Sequence, residues 1–114
     1  MGRHKSYRLP PFVPLDKRML LHSPEWRDLG SSAKVLYMQI KAKHTGSNNG
    51  QIRLYYSELK GMMADKTISR AFKQLEAKGW ICREKIGGEH RWVNDIRLTG
   101  KYDATVKDCV WLRQ

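Results

Sequence analysis

Lys66, Thr67, Ser69, Arg70, Lys73 and Gln74 crowd into nine residues of chain, and their types suit contact with a polyanion. Lys and Arg can donate to the O6 and N7 atoms of guanine. Thr and Ser hydroxyls can reach a phosphate, a base edge or a thymine methyl. Spacing decides whether such residues act together. At 3.6 residues per turn, Ile68, Ala71, Phe72 and Leu75 form one apolar stripe, and the polar set falls on the other side. The amides at the start of such a helix also favour a phosphate. An ordinary solvated helix face has the same composition, so the helix alone leaves both readings open.

Two further groups could hold phosphates. Lys85, Gly87, Gly88, His90 and Arg91 surround a Gly-Gly pair, which reads as the tip of a hairpin able to follow a phosphate backbone or reach a minor groove. Arg3, Lys5 and Arg8 could form a minor-groove arm, with a plain basic tail as the alternative. Asp65 reads as a helix cap rather than a contact.

Composition agrees with a polyanionic partner. The chain of 114 residues carries a formal net charge of +11 and a pI near 10.0. Nucleic acid is the commonest partner of such a balance, although basic residues also serve solubility. The length suits one domain with tails: a basic arm over 1–13, a folded unit over 14–99 and an extension over 100–114. No apolar run approaches the roughly 18 residues of a membrane span. The opening MGRHKSYRLPPFVP has no apolar region of the kind a signal peptide needs.

Cys82 and Cys109 lie far apart without a CxxC, which suggests free thiols in a cytoplasmic protein. His4, His22, His44 and His90 are scattered, against a zinc site. Paired carboxylates, a nucleophile elbow and a phosphate-cradling loop are all missing, and Glu76, Glu84 and Glu89 read as solvated charges. The expectation is a binding protein, not an enzyme, without cofactor, metal or small-molecule ligand.

The elements that must position these groups follow from punctuation and periodicity. Pro14 suits the first turn of a short helix through Leu20 and Leu21. Ser23 and Pro24 suit the cap and first position of a second turn, PEWRDL, closed by Gly30, with Trp26 and Leu29 inward. Ser31 or Ser32 would cap a full helix burying Ala33, Leu36, Tyr37 and Ile40, leaving Lys34, Lys41 and Lys43 wet. TGSNNGQ is a loop, and Ile52 to Tyr55 a short strand.

Ser57 would cap a short helix, ELKGMM, with Leu59 and Met62 or Met63 inward. Gly61 inside it would cost about 1 kcal/mol, offset by close crossing of a neighbouring helix if one exists. The stripe helix follows and stops at Gly79. WICREKI and RWVNDIRL then give two strands, with Trp80 and Cys82, and Ile96 and Leu98, on the packed face. Val106, Val110, Trp111 and Leu112 are too apolar for a free tail and would cover the sheet or form a dimer contact.

The run YSELKGMMADKTISRAFKQLEAKGWICREKIGG, with RLTGKYD after it, resembles the winged helix-turn-helix domains of small bacterial and phage proteins. The likeness centres on TISRAFKQLEAKGW and the Gly-Gly tip, and extends more loosely over residues 12 to 103. It departs in the turn, where Met62, Met63 and Ala64 replace the usual Gly and the Ser or Thr cap. The resemblance implies an α+β fold with three main helices, a short strand, a two-stranded wing and short N-terminal helical turns. It places Thr67, Ser69, Arg70 and Lys73 at recognition-helix positions. It also implies sequence-specific binding of double-stranded DNA by a regulator of transcription or of replication, of bacterial or mobile-element type. A homodimer through the C-terminal segment or the first helices would fit two half-sites. The alternatives are a protein-interaction module with an incidental basic face, and an RNA-binding protein stacking bases on Tyr55, Tyr56 or Trp92, whose more ordinary role is packing.

Overall fold

Asp16 starts the first helix, its carboxylate accepting from the Arg18 N–H at 2.9 Å. In the computed structural model, which describes residues 10–87 and 92–106, with side chains excepted at 84–87 and 92–94, α1 runs Lys17–His22. Pro14 therefore lies outside the helix it was expected to open, and its carbonyl oxygen is 3.3 Å from Thr105 Oγ1. The expectations for Arg3, Lys5 and Arg8, for Gly88, His90 and Arg91, and for residues 107–114 lie outside the described residues.

The second turn forms as expected. Ser23 Oγ accepts from the Trp26 N–H at 3.2 Å, and Pro24 opens α2, Pro24–Arg27. Gly30 does not close it. With φ −68° and ψ 160° Gly30 is instead the N-cap of α3, Ser31–Lys43, so Ser31 and Ser32 fall inside that helix. The reason is tertiary: the Gly30 N–H is held by Gln74 Oε1 at 3.0 Å.

Helix α3 buries Ala33, Leu36, Tyr37 and Ile40. Lys41 overturns its expectation, being only 2% exposed. Its Nζ lies 3.4 Å from Asp103 Oδ2 and donates to Thr105 Oγ1 at 2.6 Å. Tyr37 Oη donates to the same Asp103 oxygen at 2.6 Å, and Thr105 satisfies the other carboxylate oxygen through N–H and hydroxyl. A buried charge is tolerated when paired and hydrogen-bonded in this way. Lys34 and Lys43 do keep solvent access, and Lys43 pairs with Glu58.

Strand β1, Ile52–Tyr55, leads into a single 3-10 turn, Tyr56–Leu59. This replaces the helix expected after Ser57. Glu58 reaches back to the Tyr55 N–H at 2.8 Å, and the turn cannot continue because Gly61 has φ +90°. Gly61 serves a bend, not a close helix crossing, since a Cβ there would meet nothing within 4 Å. Leu59 is buried and Met63 packs on the core, while Met62 stays exposed.

Helix α4 spans Asp65–Ala77. Ala64, in extended conformation, is its N-cap without a side-chain bond, and Asp65 is the first helical residue instead of the cap. There its carboxylate complements the positive helix end. Gly79, at φ +84°, ends the helix: the Gly79 N–H bonds Glu76 O at 3.2 Å and the Trp80 N–H bonds Leu75 O at 2.8 Å, the paired pattern that satisfies orphan carbonyls.

Strands β2, Ile81–Gly87, and β3, Trp92–Leu98, complete an antiparallel sheet ordered β1-β3-β2. The fold is thus α+β, with four α-helices and three strands among the described residues. Ile96 and Leu98 are buried as expected, but Cys82 is exposed and Ile81 takes the inward position. Pairing explains this: Ile81 faces Leu98 and Arg83 faces Ile96, so Ile81 and Arg83 share the packed face. Trp80 is buried ahead of the strand, its ring 5.7 Å from Trp26, 5.2 Å from Tyr37 and 4.8 Å from Tyr102. Val106 joins the same core, so the first part of the C-terminal extension belongs to the fold.

Burial alone would push the Asp103 carboxyl up, but the bonds from Thr105 and Tyr37 and the Lys41 charge bring it below its ordinary range. Removing one partner of a buried pair costs about 3–5 kcal/mol. Asp103→Ala is therefore expected to lower the urea midpoint by a corresponding amount. In acid the unfolded chain protonates this group first, so its contribution is present above about pH 4 and is lost as pH falls through the lower native value. Urea midpoints measured through the acid range are expected to fall more steeply for the native chain than for Asp103→Asn.

Candidate functional site

Helix α4 is fixed in rotation before it presents anything to solvent. Ile68, Ala71, Phe72 and Leu75 are buried, and the Phe72 ring is covered by Tyr56 at 6.3 Å and by the Arg83 guanidinium at 5.2 Å. Its flanks are tied as well. On one side Gln74 accepts from Gly30, and Lys78 Nζ donates to Asp28 at 2.6 Å. That pairing holds the exposed Asp28 carboxyl below its usual range. On the other side Arg83 pairs with Glu76 at 2.9 Å.

What remains outward is a stripe of cations. Lys66, Arg70 and Lys73 are exposed and recur at intervals of four and three, one face of a helix. Among the described residues they join none of the ion pairs, which use Arg18, Lys41, Lys43, Lys78 and Arg83 instead. At 1.5 Å rise per residue the stripe is about 10 Å long, comparable with the roughly 12 Å width of a DNA major groove.

The other residues expected on this face separate from it. Thr67 and Ser69 are half-buried. Thr67 and Arg70 line an open depression of about 390 Å³ shared with Gly30, Ser31, Ser32 and Gln74. The Gln74 carbonyl oxygen is occupied by Gly30, so this side chain positions α3 rather than standing free. Ser31 and Ser32, not singled out from the sequence as neighbours of Arg70, arrive there through the packing of α3 on α4. No periodic pattern within either helix signals that meeting. Of the wing residues, Lys85 and Gly87 lie on β2.

No group of His, Cys, Asp and Glu among the described residues could hold a metal ion. No helix among them is long and apolar enough to cross a membrane. Comparison with protein-family models, curated proteins and solved structures returned no match.

Because the three stripe cations are exposed and join none of the ion pairs among the described residues, Lys66→Ala, Arg70→Ala and Lys73→Ala are each expected to change stability by less than about 0.5 kcal/mol. Phe72→Ala on the opposite face is expected to cost about 3–5 kcal/mol. Denaturant melts of the four variants check this contrast.

Proposed function

We propose that this chain is a winged helix-turn-helix protein that binds double-stranded DNA sequence-specifically. The element order supports the reading: α3, β1, a reduced second helix, α4, then a β2–β3 hairpin. In that arrangement α4 is the recognition helix, with Arg70 and Lys66 addressing guanine edges or phosphates and Lys73 a phosphate. The hairpin would hold the backbone on one flank. The observation that carries the proposal is the unpaired stripe of Lys66, Arg70 and Lys73 on a helix otherwise tied on every side.

The resemblance noted in the sequence supports a role in transcriptional regulation or replication control of bacterial or mobile-element type, with no catalytic step. Binding as a homodimer to two half-sites would raise affinity.

The test is a salt-titrated binding assay on duplex DNA followed by selection from a randomised duplex pool. A defined motif is expected to be enriched, with log affinity falling against log salt at about −0.9 per phosphate neutralised. Arg70→Ala is expected to weaken binding and relax preference at one position by about 1–3 kcal/mol, and Lys73→Ala to reduce the salt slope by about one contact. Unchanged affinity in both variants would remove α4 from the interface. Preference for single strands would favour RNA, for which the exposed Tyr55 ring offers a stacking surface. A protein partner retained at salt that dissolves every DNA complex would favour an interaction module.

A further inference from the structure

The loop between α3 and β1 holds a reactive dipeptide. Asn49–Gly50 is the one Asn-Gly pair in the chain; the other asparagines, Asn48 and Asn94, are followed by Asn49 and Asp95. In an Asn-Gly pair the glycine nitrogen can attack the Asn side chain, because no Cβ stands in its way. Both residues are nonetheless required by the fold. Gly50 has φ +88°, in the left-handed region, and a Cβ there would stand 2.9 Å from the Arg97 guanidinium. Asn49 is 9% exposed and clasps Leu98 with both ends of its amide. Its Nδ2 donates to Leu98 O at 2.9 Å, and its Oδ1 accepts from the Leu98 N–H at 2.7 Å. This copies the donor and acceptor of a paired strand residue, which a carboxylate, having no donor, could not do.

The same contacts keep the pair unreactive. The Gly50 nitrogen is the nucleophile, and its N–H donates to Ile96 O at 3.1 Å. The Asn49 side-chain carbon, Cγ, is the target, and its amide is fixed on Leu98. Both residues are thus tied to β3 just ahead of the β1–β3 pairing that begins at Ile52 and Ile96. Attack requires these bonds to be released together, so it proceeds only from a locally opened loop.

We propose that Asn49 is a covalent modification site, deamidated spontaneously when the loop leaves β3 and protected while it is docked. The Gly50 nitrogen gives up its proton to base and bonds to Asn49 Cγ. The Cγ–Nδ2 bond breaks and ammonia departs with a proton. Water then opens the imide ring to leave aspartate or isoaspartate, with nothing oxidised or reduced. The product cannot restore the clasp. A carboxylate oxygen takes the place of the Nδ2 donor and meets Leu98 O, acceptor against acceptor, at a buried position. Each conversion leaves the loop less well docked, so the change accumulates in one direction. The inference is independent of DNA binding.

The test follows the full chain in mildly alkaline buffer, with peptide mapping that separates asparagine, aspartate and isoaspartate at each site. In denaturing urea, Asn49 is expected to convert ahead of Asn48 and Asn94. In native buffer it is expected to convert about tenfold or more slowly than in urea. Faster conversion of either other asparagine in the unfolded chain would overturn the assignment. Equal rates at Asn49 in the folded and unfolded chain would overturn the protection. At sub-denaturing urea, conversion and hydrogen exchange of the Gly50 amide are expected to rise in the same proportion, since both need the loop to open. Conversion that stays flat while exchange rises would overturn the gating. Asn49→Asp, which carries the charge of the product, is expected to speed exchange of the Gly50 amide about tenfold through loss of a buried hydrogen bond. Unchanged exchange would overturn the one-way weakening of the loop.

Discussion

The apolar stripe of α4 sets the rotation of that helix, and most of what the surface presents follows from it. Burial of Ile68, Ala71, Phe72 and Leu75 is worth about 1.5–3 kcal/mol for each large side chain. The ion pairs at Lys78–Asp28 and Glu76–Arg83 lie at the rim of this helix, where Coulomb attraction is screened and offset by side-chain ordering, and contribute less than the burial. Turning the helix by one residue would expose Phe72 or bury Lys73, a loss no surface pair could offset. The pairs and the Gln74 bond to Gly30 refine an orientation that burial has already chosen, and Lys66, Arg70 and Lys73 are outward as a result.

A second constraint binds residues 14–16 and 103–105 to the middle of the chain. Tyr37 and Lys41 on α3, Asp103 and Thr105 near the C-terminal side, and Pro14 and Asp16 near the N-terminal side meet in one polar knot. Desolvation pulls the Lys41 ammonium below its ordinary range against the opposing effect of Asp103, while burial and the same carboxylate push the Tyr37 phenol well above its own. Such a group is poorly replaced piecemeal, because each remaining charge would be left without its partner. It makes α3 the common support of segments more than sixty residues apart in sequence, as the Tyr37–Asp103 and Lys41–Thr105 bonds span 66 and 64 positions.

The parts legible in the sequence were those decided locally. The apolar period of α3 and α4, the Ser23–Pro24 start and the Gly79 stop each depend on neighbours within one or two turns. The strand Ile52–Tyr55 is the same kind of feature. Lys41 reads as solvated because its partner stands 62 positions away, and nothing in SAKVLYMQIKAKH separates it from Lys34. The start of α3 was misplaced because its deciding acceptor, Gln74, belongs to another helix. Cys82 and Ile81 exchanged faces because alternation gives a period but not its phase, which here comes from pairing with β3. For the candidate site, the cationic stripe was readable from period alone. The withdrawal of Gln74 and the approach of Ser31 and Ser32 to Arg70 were not, since both come from helix packing.

The sheet contains an extra residue with a separate consequence. Strand β3 pairs with β2 in unbroken register from Leu98 to Trp92, yet its pairing with β1 shifts between Ile52 and Leu54. Asp95 adopts φ +56° within that shift, a left-handed conformation that Asp tolerates better than most residues. The hairpin can zip from contacts close in sequence, whereas β1 must close a much longer loop to join it, which favours late addition of β1. A β1 strand entering one residue out of step would turn Ile52 and Leu54 away from the core. The bulge at Asp95 thus fixes the one register in which Ile52 and Leu54 both face the core.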